Sequence, residues 1–120
     1  MIVAVTSSGD SVDSQLDPRF GRAPYFIIFN TKAPGASVIE NKQNLNAAQG
    51  AGIQSAQNVA AAGTECLITG HCGPKAFKVL QAAGIKLYFT DAPTVKEAMR
   101  LFSIGKLTES DSADVEGHWV

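Results

Sequence analysis

The chain has 120 residues, 45% of them hydrophobic and 18% charged, with a formal net charge of −1. That balance fits one soluble globular domain with a buried core and excludes a disordered chain. The near-neutral charge without a basic stripe argues against nucleic acid as a partner, and no run approaches the ~20 apolar residues of a membrane span.

The opening MIVAVT is short, β-branched and bounded by SSGD, so it reads as a buried strand. It lacks the basic flank and long apolar stretch of a signal peptide, and the cytoplasm is the expected location. Residues 7–22 form a polar loop long enough to expect a functional role. PYFIIFN is a second strand, KAPG (Lys32 to Gly35) a turn, and ASVIENK a third strand. The short turn makes these two an antiparallel hairpin. In NLNAAQGAGIQSAQNVAAAG, Ile53, Ala56, Val59 and Ala60 fall at helical spacing, and Gly63 suits the C-terminal cap.

ECLITG is a fourth strand. Pro74 suits the first turn of a second helix, which places Phe77 and Leu80 on one face and ends at Gly84. IKLYFT is a fifth strand. DAPTVKEAMRLF is a third helix, with Asp91 or Thr94 as cap and Pro93 near its start. Residues 1–106 then form a single domain. Residues 107–120, acidic and poor in core residues until Trp119, read as a flexible tail. The order βββαβαβα predicts an α/β fold, a mixed five-stranded sheet with helices on both faces.

In that topology four loops and three helix N-termini share the carboxyl edge of the sheet, where ligands bind in open α/β folds. Helix N-termini offer N–H groups and partial positive charge, so the expected ligand is an anion. Arg19 and Arg22, separated by Phe20 and Gly21, reach the same edge, and guanidinium groups bind anions through several donors. The plainer alternative is that they clasp Asp13 or Asp17 within the loop.

His71 and Cys72 lie side by side between the fourth strand and the second helix, followed by Gly73, Pro74 and Lys75. A thiolate is a soft metal ligand, and a nearby helix N-terminus favours that charge state. A closed structural site needs about four ligands. Only Cys72, His71, Asp91 and His118 are at hand, and there is no paired C-x-x-C, so a self-sufficient zinc site is not expected. A ligand that brings its own metal and sulfide is easier to accommodate. Cys66 sits at the start of its strand and reads as a core residue. Six extended residues separate the thiols by roughly 20 Å, against the ~7 Å between Cα atoms that a disulfide requires.

The segments LDPRFGRAPYFIIF, QGAGI, CLITGHCGPKAFKVL and AGIKLYFT together resemble the dinitrogenase iron–molybdenum cofactor biosynthesis family, across roughly residues 2–104. The pattern F-G-R-A-x-Y-F and the strand-G-x-x-G-P-x-A-helix segment carry the likeness. It implies a ribonuclease-H-like fold. It also implies kinship with accessory proteins that carry iron–sulfur or iron–molybdenum cofactor precursors, and with small stand-alone proteins. One such stand-alone member holds a molybdenum–copper sulfide cluster without covalent ligation, and the length of this chain is similar to that group. Nitrogenase-type members contact clusters through a His or Cys of the upper loops, which makes His71 and Cys72 the candidate metal contacts.

A ribonuclease-H-like fold invites a nuclease reading, but MIVAVT and the first helix lack the carboxylates that two-metal catalysis needs, and Glu65 lies at the wrong end of its strand. No Ser-His-Asp set, P-loop or dinucleotide fingerprint is present. The expectation is a non-enzymatic carrier of an anionic metal–sulfur cluster. The cluster would be a molybdenum–copper sulfide or an iron–molybdenum or iron–sulfur precursor. It would be bound by Arg19, Phe20, Gly21, Arg22, His71, Cys72, Gly73 and Lys75, and handled with partner proteins of cluster assembly or delivery. A metal-free interaction module docking a partner on the same edge is the alternative. One edge thiolate is far from the four or so cysteines of protein-ligated iron–sulfur clusters, so charge and hydrogen bonds are expected to do most of the holding.

Overall fold

The computed structural model describes residues 1–42 and 50–114. Their elements are β1 (Ile2–Ser7), a 3₁₀ turn (Phe20–Arg22), β2 (Tyr25–Asn30), β3 (Ala36–Glu40), α1 (Ala51–Ala61), β4 (Cys66–Thr69), α2 (Pro74–Ala82), β5 (Lys86–Phe89), α3 (Val95–Ser103) and β6 (Glu109–Ser110). The part of the first helical segment assigned to residues 44–49, and the residues His118 and Trp119, lie outside the described residues.

One mixed sheet runs in the order β3-β2-β1-β4-β5-β6. β1, β4 and β5 are parallel, and β2 is antiparallel to both β1 and β3. The sequence predicted five strands; the sheet has six. Residues 109–110, inside the stretch read as a tail, pair antiparallel with β5, Ser110 opposite Leu87 and Glu109 opposite Tyr88. A two-residue edge strand needs only backbone groups, so its polar side chains give no periodic signal.

Alternation along the strands sorts the core into two layers. Ala4, Phe26, Leu67 and Leu87 face α1 and α2, where they meet Ala56, Val59, Ala76 and Leu80. Val3, Val5, Ile27, Cys66 and Ile68 face the other way and pack with Val95 and Ala98 of α3. The helices therefore cover both faces. Each fully buried Phe, Leu or Ile of these layers contributes roughly 1.5–3 kcal/mol. The central strands are apolar runs because both of their faces are covered.

Local chemistry sets the helix limits. Pro74 occupies the first turn of α2, where its missing N–H costs nothing. Thr94 Oγ1 accepts from the Glu97 N–H at 3.1 Å to cap α3, selecting Thr94 over Asp91. α1 and α2 are each followed by a glycine in the left-handed region, Gly63 at φ 78° and Gly84 at φ 75°. Because β1, β4 and β5 run parallel, the loops that follow them meet at one edge.

Candidate functional site

The long first loop is folded onto that edge. Ser8 N–H donates to the Gln15 carbonyl, Leu16 N–H to Pro93 and Asp17 N–H to Thr6. The Thr6 hydroxyl donates to the Asp17 carbonyl at 2.7 Å and lies 3.0 Å from Thr69 Oγ1. The next residues run alongside the end of β4. Arg19 forms a parallel bridge with His71, and Phe20 N–H donates to the His71 carbonyl at 3.2 Å. The two motifs singled out in the sequence, residues 19–22 and 71–75, are therefore neighbours in space.

Gly70 makes this approach possible. A Cβ there would lie 2.8 Å from both Cα and the carbonyl oxygen of Pro18. Loop and strand end touch backbone to backbone, which only glycine permits here.

A second set of bonds fixes the arginine turn against α1. Asn41, nearly buried after β3, donates from Nδ2 to the Ala23 carbonyl at 2.8 Å and to Ser55 Oγ at 2.9 Å. Ser55 in turn donates to the Ala51 carbonyl at 2.7 Å. Asn58 Nδ2 donates to Asn41 Oδ1 and to the Lys42 carbonyl, both at 2.8 Å. This network was not legible in the sequence, because it joins residues from three elements.

The predicted site residues divide by exposure. Arg19, Arg22 and Lys75 are exposed on the edge, and the His71 side chain is 42% exposed. Gly21 and Gly73 are buried backbone positions of the 3₁₀ turn and the α2 cap. Asp17 accepts the Arg19 backbone N–H at 3.0 Å and leaves the guanidinium aside. Among the described residues neither Arg19 nor Arg22 forms an ion pair with a carboxylate, so the clasp alternative does not describe this loop.

Two side chains point inward. Phe20 is fully buried and packs on Phe26 with ring centroids 5.8 Å apart. Cys72 is also fully buried, among Ala4, Phe20, Phe26 and Ala76. Burial, reinforced by the Asp114 carboxylate, pushes its thiol up to about 12. The expectation that the helix terminus would favour a thiolate is therefore corrected: desolvation prevails, and Cys72 is a neutral core thiol. Cys66 is a free, buried thiol as well.

α1 and α2 pack side by side, and α1 also packs against the 3₁₀ turn. Among the described residues neither helix has a side-chain cap, and neither carries an acid in its first turn, whereas α3 has both Thr94 and Glu97. The α1–α2 flank thus combines two positive helix ends with Arg19, Arg22 and Lys75. On the opposite flank a pocket of about 670 Å³ is lined by Gln15, Leu16, Pro18, His71, Phe89 and Asp91, among others, with no Arg or Lys. A groove of about 590 Å³ between α3 and the hairpin is largely apolar and lies away from these cations. No group of three metal-ligating side chains occurs among the described residues, and none of their helices is long and apolar enough to cross a membrane.

Comparison with known proteins places this arrangement in context. A family model described as dinitrogenase iron-molybdenum cofactor matches residues 1–105. An uncharacterised protein of Methanocaldococcus jannaschii is 34% identical over 98 residues, covering 79% of this chain and 82% of the relative. The apo form of the orange protein from Desulfovibrio gigas superposes with a TM-score of 0.89 at 37% identity, covering 95% of this chain and 96% of that one. A candidate NifB protein from Thermotoga superposes with a TM-score of 0.81 at 38% identity, covering 97% and 98%. With the match spanning both edge motifs and all of the sheet except β6, the chain belongs to the dinitrogenase iron-molybdenum cofactor family.

Proposed function

We propose that this protein is a non-catalytic, cytoplasmic carrier of an anionic metal–sulfur cluster, held at the carboxyl edge of a ribonuclease-H-like sheet. A molybdenum–copper sulfide is the first choice of cargo, and an iron–molybdenum or iron–sulfur precursor is the second. Proteins of cluster assembly or delivery would load and unload it. The observation that carries this reading is the α1–α2 flank. Two adjacent helix N-termini without caps among the described residues meet three exposed cations, Arg19, Arg22 and Lys75. Such a surface suits a preformed anion that needs charge and N–H donors and no covalent ligand. The likeness to the orange protein supports a cluster-related role.

The residues fit such cargo in charge, and they offer no exposed thiolate to ligate it. Cys72 is a neutral, fully buried thiol; His71, which lies against Asp114 and also lines the neighbouring 670 Å³ pocket, is the remaining candidate metal contact. Gly73 contributes backbone and Gly21 holds the turn; Phe20 and Cys72 support the edge from beneath.

The test mixes apo protein with tetrathiomolybdate and a copper(I) salt and follows visible absorbance after desalting. A stable spectrum that added salt weakens is expected, because exposed charge contacts are screened. Arg22→Ala removes a charged donor worth roughly 1.5 kcal/mol and should weaken binding about tenfold. Cys72→Ala should keep most of the absorbance. Colour lost in Cys72→Ala and indifferent to salt would overturn the reading. Absence of colour would overturn the molybdenum–copper cargo and favour the metal-free docking module.

A further inference from the structure

The α2 end of the proposed site already holds a carboxylate, and it belongs to the chain itself. After β6, Asp111 lies beside Gln81, Gly84 and Lys86, near the C-terminal end of α2. Three residues later, Asp114 has reached the other end of that helix. Its Oδ1 accepts the Cys72 N–H at 2.8 Å, and its Oδ2 lies 2.8 Å from His71 Nδ1. The Asp114 N–H donates back to the Cys72 carbonyl at 3.1 Å. Residues 110–114 thus form a strap along α2, anchored at one end by β6 and at the other by a two-oxygen grip.

The strap is held lightly. β6 contributes two residues to the sheet, both polar. Residues 111, 112 and 114 are exposed, and the Asp114 side chain is itself 31% exposed. The carboxylate sits on the backbone N–H immediately before the α2 cap and on the one exposed imidazole of the described residues. These are the donors an anion at this end of the edge would use.

We infer that residues 109–114 are a self-inhibitory strap, in which the Asp114 carboxylate occupies an anion seat formed by the Cys72 N–H and His71, and that an anionic metal–sulfur cargo must displace it. The inference rests on the carrier reading and adds a competition to it. A carboxylate and a sulfide-rich anion cannot share one N–H and one ring nitrogen. Apparent affinity is then the intrinsic affinity multiplied by the fraction of molecules with the strap open. With the strap closed in about nine molecules of ten, the apparent affinity falls about tenfold. A partner that lifts β6 from the β5 edge would load the protein, and closure of the strap would help to expel the cargo.

The experiment measures tetrathiomolybdate–copper(I) binding by visible titration in the full-length protein, Asp114→Ala and Asp111→Asn. The last removes the same charge from the strap without touching the seat. Asp114→Ala should bind about tenfold tighter than wild type, and Asp111→Asn less than twofold tighter. Amide exchange of Cys72 should speed up in Asp114→Ala without ligand, which reports the grip independently of cargo. Equal affinity of Asp114→Ala and wild type, or an equal gain in both variants, would overturn the strap while leaving the carrier reading intact. Absence of binding in all three proteins would overturn the strap and the molybdenum–copper cargo together.

Discussion

Gly70→Ala should destabilise the protein through a single added methyl group. The glycine is not in the left-handed region, so backbone conformation is not the cause. The cause is space: the new Cβ would lie 2.8 Å from Pro18 Cα, 2.8 Å from the Pro18 carbonyl oxygen and 3.0 Å from Pro18 Cβ. Two of these contacts are with backbone, which cannot rotate away. Relief requires the loop to move as a body. That loop is pinned by Asp17 N–H to Thr6, Phe20 N–H to His71 and Leu16 N–H to Pro93, and by the buried Thr6 hydroxyl on the Asp17 carbonyl.

Overpacking of this kind costs about 1–3 kcal/mol. With a urea m-value of ~1.5 kcal/mol/M, a loss of about 2 kcal/mol lowers the midpoint by about 1.3 M. Because Pro18 and Gly70 both line the 670 Å³ pocket, its shape should change too. The assay is urea unfolding followed by circular dichroism, with Pro18→Ala and the double variant in parallel. Pro18→Ala keeps both of the closest atoms, so it should not rescue Gly70→Ala. A midpoint within about 0.2 M of wild type, or full rescue by Pro18→Ala, would refute the backbone-contact argument.

Asn41→Ala leaves Asn58 and Ser55 without their buried partner and should cost about 1–3 kcal/mol in the same assay; the amides of residues 21–23 should exchange faster, and unchanged exchange would show that the turn is held otherwise. Under denaturing, non-reducing conditions two thiols per chain should react with a thiol reagent, since Cys66 and Cys72 are both free; a count of zero would contradict the strand-four geometry. Stability should fall as pH rises from about 9 towards about 12, because the unfolded Cys72 loses its proton near 9.0 while the folded thiol keeps it to about 12; Cys72→Ala should flatten that fall, and an unchanged slope would mean that the thiol is not buried.

The strands and helices that pack on both sides announce themselves as apolar runs and as apolar spacing, which is why β1 to β5 and the three helices could be read in order. Their directions followed from connection length alone. β6 could not be read, because Glu109 and Ser110 bury nothing and are fixed only by the exposed edge of β5. Asp114 could not be read for the same reason. Its partners lie more than forty residues away, and nothing local marks one acid among the several in that segment.

Cys72 shows where legibility stops in physical terms. Sequence position put it next to a helix N-terminus, which stabilises a negative charge by about 0.3–1 kcal/mol, less than one pKa unit. Whether its side chain pointed outward or inward depended on how the chain turned after β4. That turn depends on Pro18 lying against Gly70 and on the Phe20 N–H reaching His71, both contacts with a loop some fifty residues earlier. The turn sends Cys72 into the layer of Ala4, Phe26 and Ala76. Moving the thiol from 9.0 to about 12 corresponds to roughly 4 kcal/mol against ionisation. Burial, together with the Asp114 charge, outweighs the helix effect several times, so the same residue that looked like the metal ligand of the edge is part of the core that holds the edge in place.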